Sequence, residues 1–108
     1  IKRVALSSDE VDLLDSYSND LINDVATIMF SAKESLYKLI NPLSLCYVNF
    51  HEGIVKNIDF EKSHFTIELK STKSELSHYC AEYHGTFYRI ESNLVTLLVL
   101  NSQSQQAL

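Results

Sequence analysis

An α+β fold is predicted from three features of this sequence. One long stretch carries a helical apolar stripe, the pattern switches to alternating apolar residues after Pro42, and two polar turn signals fold that second part into hairpins. The architecture these features imply is two helices packed on an antiparallel sheet of about four strands. The 108 residues are enough for one compact domain and not for two.

Each element has its own signal. Ser7 and Glu10 have capping-box spacing, and Asp9 and Glu10 suit the positive end of a helix dipole. Val11, Leu13 and Leu14 give this first helix a short apolar face. Ser16 to Asp20 reads as a break in which Asn19 or Asp20 caps a second helix. There Ile22, Val25, Ala26, Met29, Ala32, Leu36 and Ile40 keep the three-and-four spacing of a buried stripe. Asn41-Pro42 is expected to end it, because proline disfavours the helical conformation in the residue before it. Ile54, Ile58 and Phe60, a turn at Glu61-Lys62-Ser63, then Phe65, Ile67 and Leu69 predict a hairpin. Ser71 to Ser77 reads as a polar loop. Thr86 to Ile90, a turn at Glu91-Ser92-Asn93, and Leu94 to Leu100 predict a second hairpin. Its last strand is apolar on both faces, which predicts a place inside the sheet. The domain is therefore assigned to residues 1–100, with 101–108 a polar frayed tail.

Composition excludes several classes. A net charge of -5 argues against a nucleic-acid partner, which needs a basic face. No apolar run is long enough to cross a bilayer, and no signal peptide is visible. Cys46 and Cys80 are too few and too far apart for a disulfide scaffold, so a reducing cytoplasm is expected. The chain opens on Ile1 rather than Met, and it is expected to be a segment of something longer.

The candidate chemistry lies on the second helix. Phe30, Glu34 and Lys38 are spaced by four and share one side, with Lys33 and Tyr37 beside them. A carboxylate between two ammonium groups suits a site that holds a divalent cation and a phosphate together. Spacing alone, however, favours a solvated Glu-Lys pair worth about 0.3–0.5 kcal/mol. His78, Cys80 and His84 do not form a common zinc signature, and ordinary loop and core roles explain them more simply. His51-Glu52 reads as an acid–base pair or as a polar turn before Gly53. There is no Gly-rich phosphate loop and no nucleophile elbow. Tyr47, Phe50, Phe60, Phe65, Phe87 and Tyr88 read as core and sheet-face residues.

Phe30-Ser31-Ala32-Lys33-Glu34-Ser35-Leu36-Tyr37-Lys38 closely resembles the second signature of the 4'-phosphopantetheinyl transferases. That pattern reads Trp or Phe, Ser or Thr, any residue, Lys-Glu, Ser or Ala, any two residues, Lys, and every defined position is met. The wording is most similar to the enterobactin-synthetase component D subgroup, which serves siderophore assembly. Asp9-Glu10 upstream and Val95-Thr96-Leu97 downstream fit the same context, so the resemblance covers most of residues 5–100.

The resemblance implies an enzyme that moves the 4'-phosphopantetheine arm of coenzyme A onto a serine of an acyl or peptidyl carrier protein, for siderophore or nonribosomal peptide synthesis. It implies that Glu34 ligates magnesium and helps deprotonate the serine, and that Lys38 steadies the pyrophosphate. It places Lys33 on coenzyme A phosphates and Phe30 beside the site. It also implies that the chain is the C-terminal half of a pseudo-dimer whose N-terminal half is a required partner, with siderophore synthetases as further associates. The family's first motif (Gly, Ile or Val, Asp, any residue, Glu) is absent and is expected just before residues 1–6. The isolated segment is accordingly expected to be inactive. Two other readings stand beside this one: a non-catalytic interaction module that retains the fold, and a small subunit whose site forms between copies.

Overall fold

The computed structural model describes residues 7–98. The tail 101–108, the end of the last predicted strand and the stretch 1–6 lie outside the described residues. Helix α1 spans Ser8–Asp15 and α2 spans Asn19–Ser44. After a 3-10 turn at Phe50–Glu52 come β1 (Gly53–Asp59), β2 (His64–Leu69), a 3-10 segment (Ser74–Tyr79), β3 (Glu82–Ile90) and β4 (Asn93–Leu98). The strands form one antiparallel sheet in the order β1-β2-β3-β4, with both long helices on it. This is the predicted α+β architecture. Among the described residues no helix is long and apolar enough to cross a membrane.

The capping box at α1 is present. The Ser7 hydroxyl accepts the Glu10 N–H at 3.2 Å, and Glu10 Oε1 accepts the Ser7 N–H at 2.9 Å. The cap of α2 is Ser18, not Asn19 or Asp20, and its side chain makes no capping bond. The stripe of α2 is buried as its spacing requires: Val25, Ile28, Met29, Ala32, Leu36 and Ile40 are at most 1% exposed. They meet Val55, Ile58, Phe65, Ile67, Leu69, Tyr83, Phe87 and Leu98 from the inner face of the sheet in one core. Fully burying a side chain such as Phe65 contributes about 1.5–3 kcal/mol.

Five further expectations are corrected. α2 does not stop at Pro42 but runs on to Ser44, where Leu45 ends it in the left-handed region at φ 55°. Proline at this point forfeits the helical bond to the Lys38 carbonyl, a loss confined to one bond near the end of the helix. Ile54 and Ile58 do not share a face, because a bulge between Val55 and Asn57 shifts the register. Val55 and Ile58 are therefore the inward pair. The segment from Ser74 is a 3-10 helix that buries Leu76, not an open loop. β4 lies at an edge of the sheet formed by the described residues, not inside it. Its inner face is covered by α2 and its outer face leaves Leu97 exposed. The last hairpin is also tighter than expected: Asn93 already pairs with Ile90, leaving Glu91-Ser92 as the turn, with Glu91 at φ 57°.

Candidate functional site

α2 presents three rows of side chains around its outward half. Ser31 and Ser35 lie on one flank, and both hydroxyls meet Thr96 Oγ1 of β4, at 2.7 and 2.8 Å. Phe30 and Tyr37 lie on the other flank. Phe50, on the 3-10 turn, packs against the Phe30 ring at 4.8 Å and the Tyr37 ring at 6.2 Å between centroids. Tyr47 extends this shelf toward Tyr37 at 6.5 Å. Between the flanks stand Glu34, half-buried, and Lys38, exposed.

Neither Glu34 nor Lys38 has a hydrogen bond or ion pair among the described residues, and they do not pair with each other. The direct Glu34–Lys38 ion pair that spacing favours is thus not formed, and both groups stay open to solvent. A carboxylate held between an aromatic flank and a hydroxyl flank keeps all its acceptor capacity. An ammonium one turn on keeps all its donors.

Lys33 is elsewhere. Its side chain is 1% exposed and its ammonium lies 2.9 Å from Glu10 Oε1, whose own side chain is 0% exposed. It also donates to the carbonyls of Phe50 at 3.0 Å and Gly53 at 2.6 Å. Three acceptors use all three of its protons. The structure therefore brings Phe30, Glu34 and Lys38 together and leaves Lys33 underneath them, turned away from any ligand on that face. The expectation that Lys33 meets coenzyme A phosphates does not agree with this placement, because a fully partnered buried ammonium has no donor left to offer.

Sequence reasoning missed Glu10 and Phe50 as members of this region. Glu10 was visible only as a helix cap, because its partner is 23 positions away. Lys33 did carry a signal: it falls four residues after Met29 and three before Leu36, on the buried stripe itself, where a charge must be paired.

The 3-10 turn is held from its far side. Glu52 is buried, and its carboxylate accepts from the Ser71 hydroxyl, from the Asn49 N–H at 2.8 Å and from the Lys73 ammonium at 3.1 Å. Burial pushes the Glu52 carboxyl up, but the Ser71, Asn49 and Lys73 bonds and the Lys73 charge outweigh it and hold the group below the usual range. His51 is exposed beside a groove of about 470 Å³ that Ile54, Lys70, Ser71 and Thr72 also line. Glu52 is thus a structural tie and not half of an acid–base pair with His51.

A profile of the 4'-phosphopantetheinyl transferase superfamily matches residues 1–97. The chain belongs to that superfamily. No curated protein and no solved structure matches it. At the level of the superfamily the chemistry is phosphopantetheinyl transfer, with coenzyme A as substrate and carrier proteins as acceptors. The described α+β fold is consistent with one transferase half. In this phosphopantetheinyl transferase chain the matched stretch contains every candidate residue on α2.

As for a divalent cation, the donor set on this face is one carboxylate. Magnesium keeps several waters and is held by one or two carboxylates with substrate phosphates. Glu34 fits that pattern as a contributing ligand. Among the described residues no group of three His, Cys, Asp or Glu side chains could hold a metal.

Proposed function

We propose that this chain supplies the Glu34-Lys38 face of a magnesium-dependent 4'-phosphopantetheinyl transferase acting on a carrier-protein serine. The observation that carries it is the pair of unpartnered charges: a half-buried carboxylate and an exposed ammonium one helical turn apart, on the one stretch that meets the family's signature. The serine Oγ attacks the phosphorus that bears the pantetheine arm. The bond from that phosphorus to the bridging oxygen breaks, and adenosine bisphosphate leaves. The serine proton needs a base, and in this reading Glu34 takes it, directly or through water. Negative charge grows on the leaving phosphate, where Lys38 can compensate it. Magnesium, when bound at Glu34, would neutralise the pyrophosphate. In-line transfer asks mainly for this positioning and charge compensation. Phe30 and the Phe50 ring form an apolar wall beside these groups.

The remaining acidic ligands are proposed to come from the family's first motif, expected just before residues 1–6. A siderophore or nonribosomal peptide carrier protein is the acceptor favoured by the Phe30–Lys38 wording. Cytoplasmic residence belongs to the same reading, supported by two unpaired cysteines, Cys46 and Cys80.

The test is mass analysis of a carrier protein incubated with the complete protein, coenzyme A and magnesium. The unaltered protein should add one phosphopantetheine per serine, and Glu34→Gln or Lys38→Ala should reduce the rate by about 10² to 10³-fold with the fold intact. Undiminished transfer by both variants would refute the assignment. The second reading, a non-catalytic module that retains the fold, is favoured by the absence, among the described residues, of any group of three His, Cys, Asp or Glu side chains that could hold a metal. It predicts no modification by the complete protein under any of these conditions.

A further inference from the structure

Lys33 and Glu10 form a buried strut, and its connections go well beyond the two side chains. Glu10 Oε1 accepts from the Ser7 N–H and the Lys33 ammonium, and Oε2 accepts the Val55 N–H of β1 at 2.6 Å. Lys33 adds the carbonyls of Phe50 and Gly53. One ion pair thus joins the start of α1, the middle of α2, the 3-10 turn and the first residues of β1. Its ammonium lies 5.4 Å from the centre of the Phe50 ring, the same ring that packs on Phe30.

We infer that the Glu10–Lys33 pair is the positioning device of the transferase face: it fixes the rotation of α2 that aims Glu34 and Lys38 outward and seats the Phe50-Phe30 wall beside them. Successive residues of a helix point about 100° apart. With Lys33 pinned beneath the turn, Glu34 has one direction available. Without the pin, the stripe still buries α2, but apolar packing is non-directional and tolerates small rotations that a hydrogen-bonded ion pair does not. Misplacing a reacting group by about 1 Å costs on the order of 10²-fold in rate. Neither residue touches substrate in this account, so both are positioning residues. The inference rests on the transferase reading of Glu34 and Lys38.

The experiment compares Lys33→Met, Glu10→Gln and the double variant Glu10→Met with Lys33→Met in the complete protein. Rates are taken per folded molecule, below the unfolding range, with coenzyme A varied. The double variant removes both charges at similar volume, so it keeps the fold where a single variant leaves a buried charge behind. The expected result is a fall in kcat of about 10²-fold in each single variant, with KM for coenzyme A changed less than about twofold, and no deeper loss in the double variant. If Lys33→Met alone raises KM for coenzyme A while Glu10→Gln behaves as the parent, Lys33 contacts the substrate and the inference falls. If kcat per folded molecule is unchanged throughout, the pair only holds the fold, and the inference also falls.

A second readout does not need activity. In protein labelled with 4-fluorophenylalanine, Glu10→Gln should shift the fluorine resonances of Phe30 and Phe50 and leave that of Phe65 in place. Unmoved Phe30 and Phe50 signals overturn the strut. Shifted signals in a protein that transfers nothing leave the strut standing and refute the transferase reading.

Discussion

At Gly85, a Cβ would fall inside van der Waals contact with the Phe65 ring and lie 2.8 Å from the Leu97 carbonyl oxygen. Phe65 is 1% exposed and pairs directly with Gly85 across β2 and β3, so the ring has nowhere to go. Gly85→Ala should therefore destabilise the fold by about 1–3 kcal/mol. Urea unfolding would show a lower midpoint with an unchanged slope. A midpoint equal to that of the parent would mean the ring can yield. Residue-level legibility was uneven for a related reason. Glu34 and Lys38 could be read from spacing because they face outward along one helix. Lys33 lies on the same nine-residue stretch, yet its role depends on Glu10, Phe50 and Gly53, which only the fold brings together.

The elements were more legible than their ends. The stripe of α2 was plain because apolar burial imposes the helical period over many residues. Its terminus was not, because the bias against helix before Pro42 is small compared with the packing of Ile40 above and the Asn41 bonds beyond. The Asn41 carbonyl accepts the Leu45 N–H at 2.9 Å, and Asn41 Oδ1 accepts the Val48 N–H at 2.8 Å. The apolar reading of β4 failed in another way. Apolar residues on both faces fit an interior strand equally well as an edge strand with one face under α2 and an exposed Leu97. At the end of α2, Leu45 is held at φ 55° with 90% of its surface exposed. A left-handed conformation costs a non-glycine residue roughly 1–2 kcal/mol, and this side chain gives almost no packing in return. Leu45→Gly should raise stability by about 0.5–1 kcal/mol, and the melting temperature by several degrees on the order of 4–8 °C per kcal/mol. Calorimetry that found a lower melting temperature would show that the left-handed cap is not strained.

For the molecule as a whole, two buried groups shape the dependence of stability on pH from opposite ends. Glu52 is held below its ordinary value in the fold, so its contribution is complete above the unfolded glutamate value of about 4.3 and is lost as pH falls through the folded one. Tyr83 works at the other end. Burial chiefly, with Cys80 and Tyr79 nearby, pushes its phenol up to about 12. An unfolded tyrosine ionises near 10, so above that pH the unfolded chain releases a proton the folded chain keeps, and stability declines until the folded phenol ionises as well. Tyr83 is 5% exposed, and a shift of this size corresponds to about 2–3 kcal/mol across that window. Its hydroxyl also donates to the Tyr79 carbonyl at 2.5 Å. Tyr83→Phe should therefore be less stable near neutrality by about 1 kcal/mol, yet flatter between about pH 10 and 12. Glu52→Gln should be less stable near neutrality and flatter on the acid side, because the gain from ionising that carboxyl is gone while the Lys73 and Ser71 groups around it lose their partner. Urea midpoints from acid to alkaline pH separate the two effects, since each variant should flatten one limb only. An alkaline limb as steep in Tyr83→Phe as in the parent would place its origin in other groups that titrate there, such as Tyr17, which burial also pushes up. Glu52 bonds Ser71 and Lys73 at the start of the Ser71–Tyr83 segment and Tyr83 bonds Tyr79 toward its end, so their limbs report on how that segment is held.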